Sequence, residues 1–304
     1  MSGHVPGQSA PRGLLRPEVL ARLKNLDLVA RSVVEGFLVG LHRSPQFGFS
    51  QEFAEYRAYA EGDDPRFVDW NVYARTERTY IKRFLGETNS HLMILLDCSA
   101  SMAFGGPPVT KLRYAQFLAA SLAYLASRQH DAVGCMVFDE EIREFRPPSS
   151  KSGRLQAVLH SIDRVAPGTG TSFERPFEKF RQHVTRRGLV ALVSDFWCDA
   201  ERLLESVRPL AWQGQDIVLF HVLDPAELAP HYAENVLLED AETGAAIEVA
   251  PEFMADEYPR RLRAHIDSII RTAAAGGADH VLVDTGDSLD AALRKYLLFR
   301  QRRK

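Results

Sequence analysis

Asp97-Cys98-Ser99-Ala100-Ser101 places one carboxylate and two hydroxyls at alternate positions of a five-residue segment. In a tight turn that spacing lets Asp97, Ser99 and Ser101 converge on one point. All three are hard oxygen donors, suited to Mg2+ or Mn2+ rather than to metals that prefer thiolate or imidazole. Two other segments offer the same kind of atom. Pro167-Gly168-Thr169-Gly170-Thr171-Ser172 carries hydroxyls, and Ser194-Asp195 carries a second carboxylate. Each is weak alone, since Ser99 and Ser101 could equally cap a coming helix. Taken in order, the three segments point to a divalent-cation site.

The elements around these segments set them side by side. Leu92 to Leu96 is a short apolar run ending at Asp97, and Leu189 to Val193 is another ending before Ser194 and Asp195. Both have the texture of strands buried on two faces of a parallel sheet. Ala132 to Phe138, Ile217 to Val222 and His280 to Val283 read as further strands, with Ile142 to Phe145 pairing back through a turn at Asp139 to Glu141. Helical patterns cover Lys111 to Arg128, Lys151 to Asp163, Glu174 to Thr185, Asp199 to Leu210, Pro251 to Ala275 and Ser288 to Arg300. This alternation predicts an α/β fold, a doubly wound and mostly parallel sheet with helices on both faces. Ligands of such sheets sit outside the carboxyl ends of the strands, where the three segments fall.

Residues 1–13 read as a polar leader. Residues 14–89 form a smaller N-terminal region that opens with helix from Pro17, carries an apolar stripe through Val33, Val34, Phe37 and Leu41, and turns irregular from His42, with short strands around Thr79 to Leu85. Residues 90–304 form the main α/β domain, with a hairpin insertion near 236–249 around Glu242-Thr243-Gly244.

The 304 residues carry 37 Lys and Arg against 40 Asp and Glu, a net charge of −3, which disfavours nucleic-acid binding. Three cysteines make no disulfide framework. No apolar run approaches the roughly 20 residues of a membrane-spanning helix, and residues 1–12 lack a signal-peptide stretch. The expectation is a soluble, reduced, cytoplasmic protein without an integral membrane segment. No phosphate-binding G-x-x-x-x-G-K-[ST] loop, G-x-S-x-G elbow or H-E-x-x-H pair occurs. Ser99 stands where a haloacid-dehalogenase-like phosphatase needs a second Asp. Cys98 reads as a small packed residue, and the basic tail Arg300, Arg302, Arg303 and Lys304 as a solvated helix end.

The oxygen-donor set resembles the metal-ion-dependent adhesion site (MIDAS) of von Willebrand factor A domains, where D-x-S-x-S, a threonine in a Gly-flanked loop and an Asp after the fourth strand hold the ion. The resemblance assigns Asp97, Ser99, Ser101, Thr171 and Asp195 to a Mg2+ or Mn2+ site, with Thr169 as second choice for the threonine. It implies that a partner's Asp or Glu completes the shell, so that the site docks and has no general base. Upstream, Glu52-Phe53, Arg57, Gly62, Asp63, Asp64, Arg66, Asp69, Trp70 and Arg75 resemble the signature of domain of unknown function family 58 (DUF 58), whose members carry a von Willebrand A-like domain directly afterwards. These residues are candidates for a self-paired ion network or for partner contact.

The family resemblance implies a non-enzymatic, metal-dependent protein-interaction module. Its role would be that of an adaptor or chaperone-like partner of a MoxR-type AAA+ ATPase, acting on an unknown client in protein maturation or assembly. The competing expectation is a metal-dependent hydrolase of phosphoester type, using Asp97 and Asp195 with Asp63, Asp64 and Asp69.

Overall fold

The computed structural model describes residues 16–23, 25–42, 53–59, 68, 70, 72–73, 78–84, 91–184 and 186–302. Two helices come first, α1 (Pro17–Leu20), with Pro17 in its first turn, and α2 (Leu26–His42). The strands β1 (Phe53–Ala58) and β2 (Tyr80–Phe84) pair antiparallel, Tyr56 opposite Lys82. The second strand lies where the sequence places one, but its partner was not foreseen. Phe-Ala-Glu-Tyr-Arg-Ala alternates without strong β-branched character, so it is legible only once paired.

The main domain then alternates as expected. β3 (His91–Asp97) leads through a short 3-10 turn at Ala100–Ala103 into α3 (Lys111–Arg128). β4 (Ala132–Phe138) and β5 (Ile142–Ser149) follow, then α4 (Arg154–Asp163), α5 (Glu174–His183) and β6 (Leu189–Ser194). α6 (Ala200–Trp212), β7 (Asp216–Leu223) and a four-residue α7 (Pro225–Leu228) precede the hairpin β8 (Val236–Glu239) and β9 (Ala246–Val249). A π turn at Phe253–Glu257 runs into α8 (Tyr258–Ala275), and β10 (Ala278–Asp284) and α9 (Leu289–Arg302) close the chain.

Six strands form one sheet in the order β10-β7-β6-β3-β4-β5, parallel except for β5. β5 runs to Ser149, further than the expected Phe145, and ends through Pro147 and Pro148, which an edge strand tolerates. The centre of the sheet is apolar on both sides. On β3, Met93 and Leu95 join the core that holds Phe173, Phe177 and Phe180, while Leu92, Ile94 and Leu96 join the opposite core. That second core takes in α3, buried nearly all round, and the α2 stripe of Leu26, Val29, Ala30, Val33, Val34 and Phe37. α2 covers α3 as α3 covers the sheet, which explains why α3 has no polar face of ordinary width.

Candidate cation site at the carboxyl edge of the sheet

Asp97 and Ser194 end neighbouring strands, because the β3–β6 ladder pairs Leu96 with Val193. Asp97 is fully buried. Its Oδ1 accepts from the Ser99 backbone N–H at 2.8 Å, and its Oδ2 accepts from the Ser194 hydroxyl at 2.6 Å. The same Ser194 oxygen accepts from the Phe196 N–H at 3.0 Å, which ties the third loop to the first. Burial, and next the facing charge of Asp195, push the Asp97 carboxyl up to about 7, against the hydrogen bonds from Ser194 and Ser99 that pull it down. The Ser99 and Ser101 hydroxyl oxygens lie 3.1 Å apart. Adjacent oxygens of an octahedral Mg2+ shell with bonds of about 2.1 Å stand about 3 Å apart, so the pair is spaced as two neighbouring ligands would be.

Backbone bonds stitch the second loop to the first. The Gly168 N–H donates to the Cys98 carbonyl and the Ala100 N–H to the Thr169 carbonyl, each at 2.6 Å. Gly168 has to be glycine: a Cβ there would run into the Asp139 carboxylate and stand 3.2 Å from the Cys98 carbonyl. Asp139 is itself buried. Despite that burial, hydrogen bonds from Arg143 above all hold its carboxyl below the usual range. The threonine hydroxyls point elsewhere. Thr169 Oγ1 donates to Glu140 at 3.3 Å, and Thr171 Oγ1 donates to Glu242 on the β8–β9 turn at 2.7 Å.

The third loop bends sharply after Asp195. Phe196 has a φ of 51°, a left-handed conformation unusual for a bulky residue and one that costs about 1 kcal/mol or more. Its ring is buried and stacked on Phe173 at 6.0 Å, an anchor that holds the turn against that cost.

A neighbour absent from the sequence expectations meets Asp195. Lys111, the first residue of α3, is buried to 1% exposure, and its Nζ donates to Asp195 Oδ2 and to Glu227 Oε1, both at 2.7 Å. Burial alone would drive this amine toward neutrality. Attraction from Asp195 and Glu227 and the two hydrogen bonds outweigh it and raise its pKa above the ordinary value. Glu227 is fixed in turn: its Oε2 accepts from the Asp224 N–H at 2.8 Å in a capping box, and its Oε1 accepts from the Trp197 indole at 3.2 Å. The only signal in the sequence was Asp224-Pro225-Ala226-Glu227, which reads as a helix cap.

Asp97, Ser99 and Ser101 therefore converge, and Asp195 stands at the same edge with an ammonium on one oxygen. Among the described residues no three His, Cys, Asp or Glu side chains gather as an ion cage, so any cation here needs the serine hydroxyls. This donor set, hydroxyls with few carboxylates, fits a hard divalent ion. Of the signature residues, Arg57 lies on β1 and Trp70 is 61% exposed, edge-on to Tyr73. Gly62, Asp63, Asp64, Arg66, Asp69 and Arg75 lie outside the described residues. Burial pushes the Cys98 and Cys135 thiols up to about 12 and raises Cys198 as well, as expected of packed residues.

Comparison with known proteins agrees with this architecture. The family model described as "Protein of unknown function DUF58" matches residues 55–282. The uncharacterized protein Rv1480 of Mycobacterium tuberculosis is 26% identical over 307 aligned positions, covering 98% of this chain and 96% of its own; Mb1516 of Mycobacterium bovis matches equally. Among solved structures, the conserved hypothetical protein BatB of Bacteroides thetaiotaomicron superimposes with a TM-score of 0.50 at 17% identity, over 70% of this chain and 99% of that one. An aerotolerance-related membrane protein of Bacteroides fragilis gives 0.51 at 17% identity, over the same shares. The fold is thus the von Willebrand A-like one, a mostly parallel six-stranded sheet between helices. No helix among the described residues is long and apolar enough to cross a membrane.

Proposed function

The chain belongs to the DUF58 family, and we propose that within it this protein is a non-enzymatic docking module whose divalent cation, Mg2+ or Mn2+, is held by Asp97, Ser99, Ser101, Thr171 or Thr169, and Asp195. The observation that carries the reading is the Ser99–Ser101 hydroxyl pair, 3.1 Å apart at the carboxyl edge of the sheet, in the loop that the buried Asp97 carboxylate holds. An ion bound mainly by neutral hydroxyls keeps positive charge, and one more carboxylate is what it would attract. The acid would come from a partner protein. We assign the module as an adaptor between a MoxR-type AAA+ ATPase and a client protein, in the cytoplasm, acting in maturation or assembly. Thr171 would have to give up its hydrogen bond to Glu242 to join the ion.

The hydrolase reading has no observation in its favour: Asp63, Asp64 and Asp69 lie outside the described residues, and Lys111 already engages Asp195. The test is Mn2+ titration of purified protein, wild type and Ser99→Ala, with co-purification of the ATPase from native extract in Mg2+ or EDTA. Saturable Mn2+ binding lost in the variant, with ATPase recovery only in Mg2+, is expected. Equal Mn2+ binding by both proteins, or equal recovery in both buffers, refutes the proposal.

A further inference from the structure

Lys111 is anchored more firmly than a surface lysine of an ion pair. It stands at the start of a helix, where the axial dipole repels a cation. It is nonetheless buried, between two carboxylates at 2.7 Å each and with the Phe104 ring 5.5 Å away. Removing so much water from an ammonium costs several kcal/mol, which these contacts must offset. Formally, Asp195 and Glu227 bring two negative charges and Lys111 one positive charge, so the ammonium offsets half of the acid on that side of the edge. Without the lysine, an ion beside the serine pair would face the uncompensated Asp195 carboxylate and keep less positive charge of its own.

We propose that Lys111 is a positioning residue for the cation site: a built-in counter-ion that occupies Asp195 and Glu227, weakens the site's hold on a divalent ion, and thereby leaves that ion positive enough to attract an outside carboxylate. This inference rests on the metal reading above. It explains why the third loop pairs Asp195 with an ammonium instead of leaving both oxygens to the ion. The lysine trades metal affinity for electrophilicity.

The test is Mn2+ titration, by electron paramagnetic resonance of free Mn2+, of the full chain as wild type, Lys111→Met and Glu227→Gln, with circular dichroism confirming the fold. Lys111→Met frees Asp195 and is expected to bind Mn2+ about tenfold more tightly, and to gain more thermal stability from saturating Mn2+ than wild type does. Glu227→Gln leaves the lysine to Asp195 alone and removes one negative charge, so its Mn2+ binding should weaken. Should Lys111→Met not fold, the direction of Glu227→Gln decides. Mn2+ binding by wild type with unchanged or weaker binding by Lys111→Met, or tighter binding by Glu227→Gln, overturns the lysine inference alone. Binding by none of the three overturns the metal reading and this inference with it. Binding by Lys111→Met but not by wild type overturns the inference as well, because an ion that wild type does not hold can attract no outside carboxylate.

Discussion

Replacing Asp97 with Asn should stabilise the metal-free protein at neutral and alkaline pH. In the fold the carboxyl is pushed up to about 7, by burial first and by Asp195 second, whereas an exposed Asp titrates near 4. Between those values the folded chain holds a proton that the unfolded chain releases. Stability contributed by this group is therefore full below about pH 4 and falls as pH rises toward 7. From pH 5 to pH 7 the folded carboxyl stays largely protonated while the unfolded one ionises, at up to about 1.4 kcal/mol per pH unit, so Asp97 costs about 2 kcal/mol across that span. Asn cannot ionise, and its amide keeps an acceptor for the Ser99 N–H while the Ser194 hydroxyl can turn to accept from it. The assay is urea unfolding of wild type and Asp97→Asn at pH 5, 6, 7 and 8 in EDTA. The quantity read is the difference between the two proteins, in which titrations of groups that do not face Asp97 cancel. That difference should move by about 2 kcal/mol in favour of Asn from pH 5 to pH 7, and added Mg2+ should then stabilise wild type only. A difference that stays flat across this range, or moves toward the aspartate, refutes the account of Asp97 as a strained buried anion.

Three further outcomes follow from described contacts. Gly168→Ala should destabilise by about 1–3 kcal/mol in the same unfolding assay, because the added Cβ meets the Asp139 carboxylate and the Cys98 carbonyl; a change under about 0.5 kcal/mol would show that the second loop yields freely. The His280 imidazole, buried first and repelled by Lys295 second, is held down to about 4. It stays neutral in the fold while the unfolded chain protonates below 6.5, so stability is lost as pH falls from 6.5 toward 4, and His280→Gln should flatten that acid limb in pH-resolved thermal unfolding. Glu242→Ala removes the acceptor of the exposed Thr171 hydroxyl. Its cost should stay below about 1 kcal/mol, while hydrogen exchange at residues 240–245 rises. Unchanged exchange there would mean that the contact does not hold the turn.

The sheet was legible because its strands are buried on both faces. Leu92 to Leu96 and Leu189 to Val193 are apolar without a break, and each ends at the polar residue that the site uses. Distance along the chain hid the rest. Lys111 in a first helical turn looks like any solvated lysine, and only the fold carries it to Asp195, 84 residues away, and Glu227, 116 away. The resemblance ranks Thr171 before Thr169, but Gly-x-Gly allows the loop more than one path; in the fold the backbone of Thr169 is the one bonded to the first loop. α2 was readable as an amphipathic helix, but its stripe could not say that it covers another helix. Nor could Phe196 announce a left-handed backbone, since its side chain pattern is that of an ordinary core residue.

The double proline that ends β5 has a bearing on how this molecule can meet others. An open sheet margin invites a foreign strand, and the usual currency of that encounter is a row of spare amide hydrogens. At Pro147 and Pro148 two consecutive amides have none to give. Amyloid-like stacking and donor-strand borrowing are both discouraged along that stretch of the border, and recognition there must work through side chains instead of backbone.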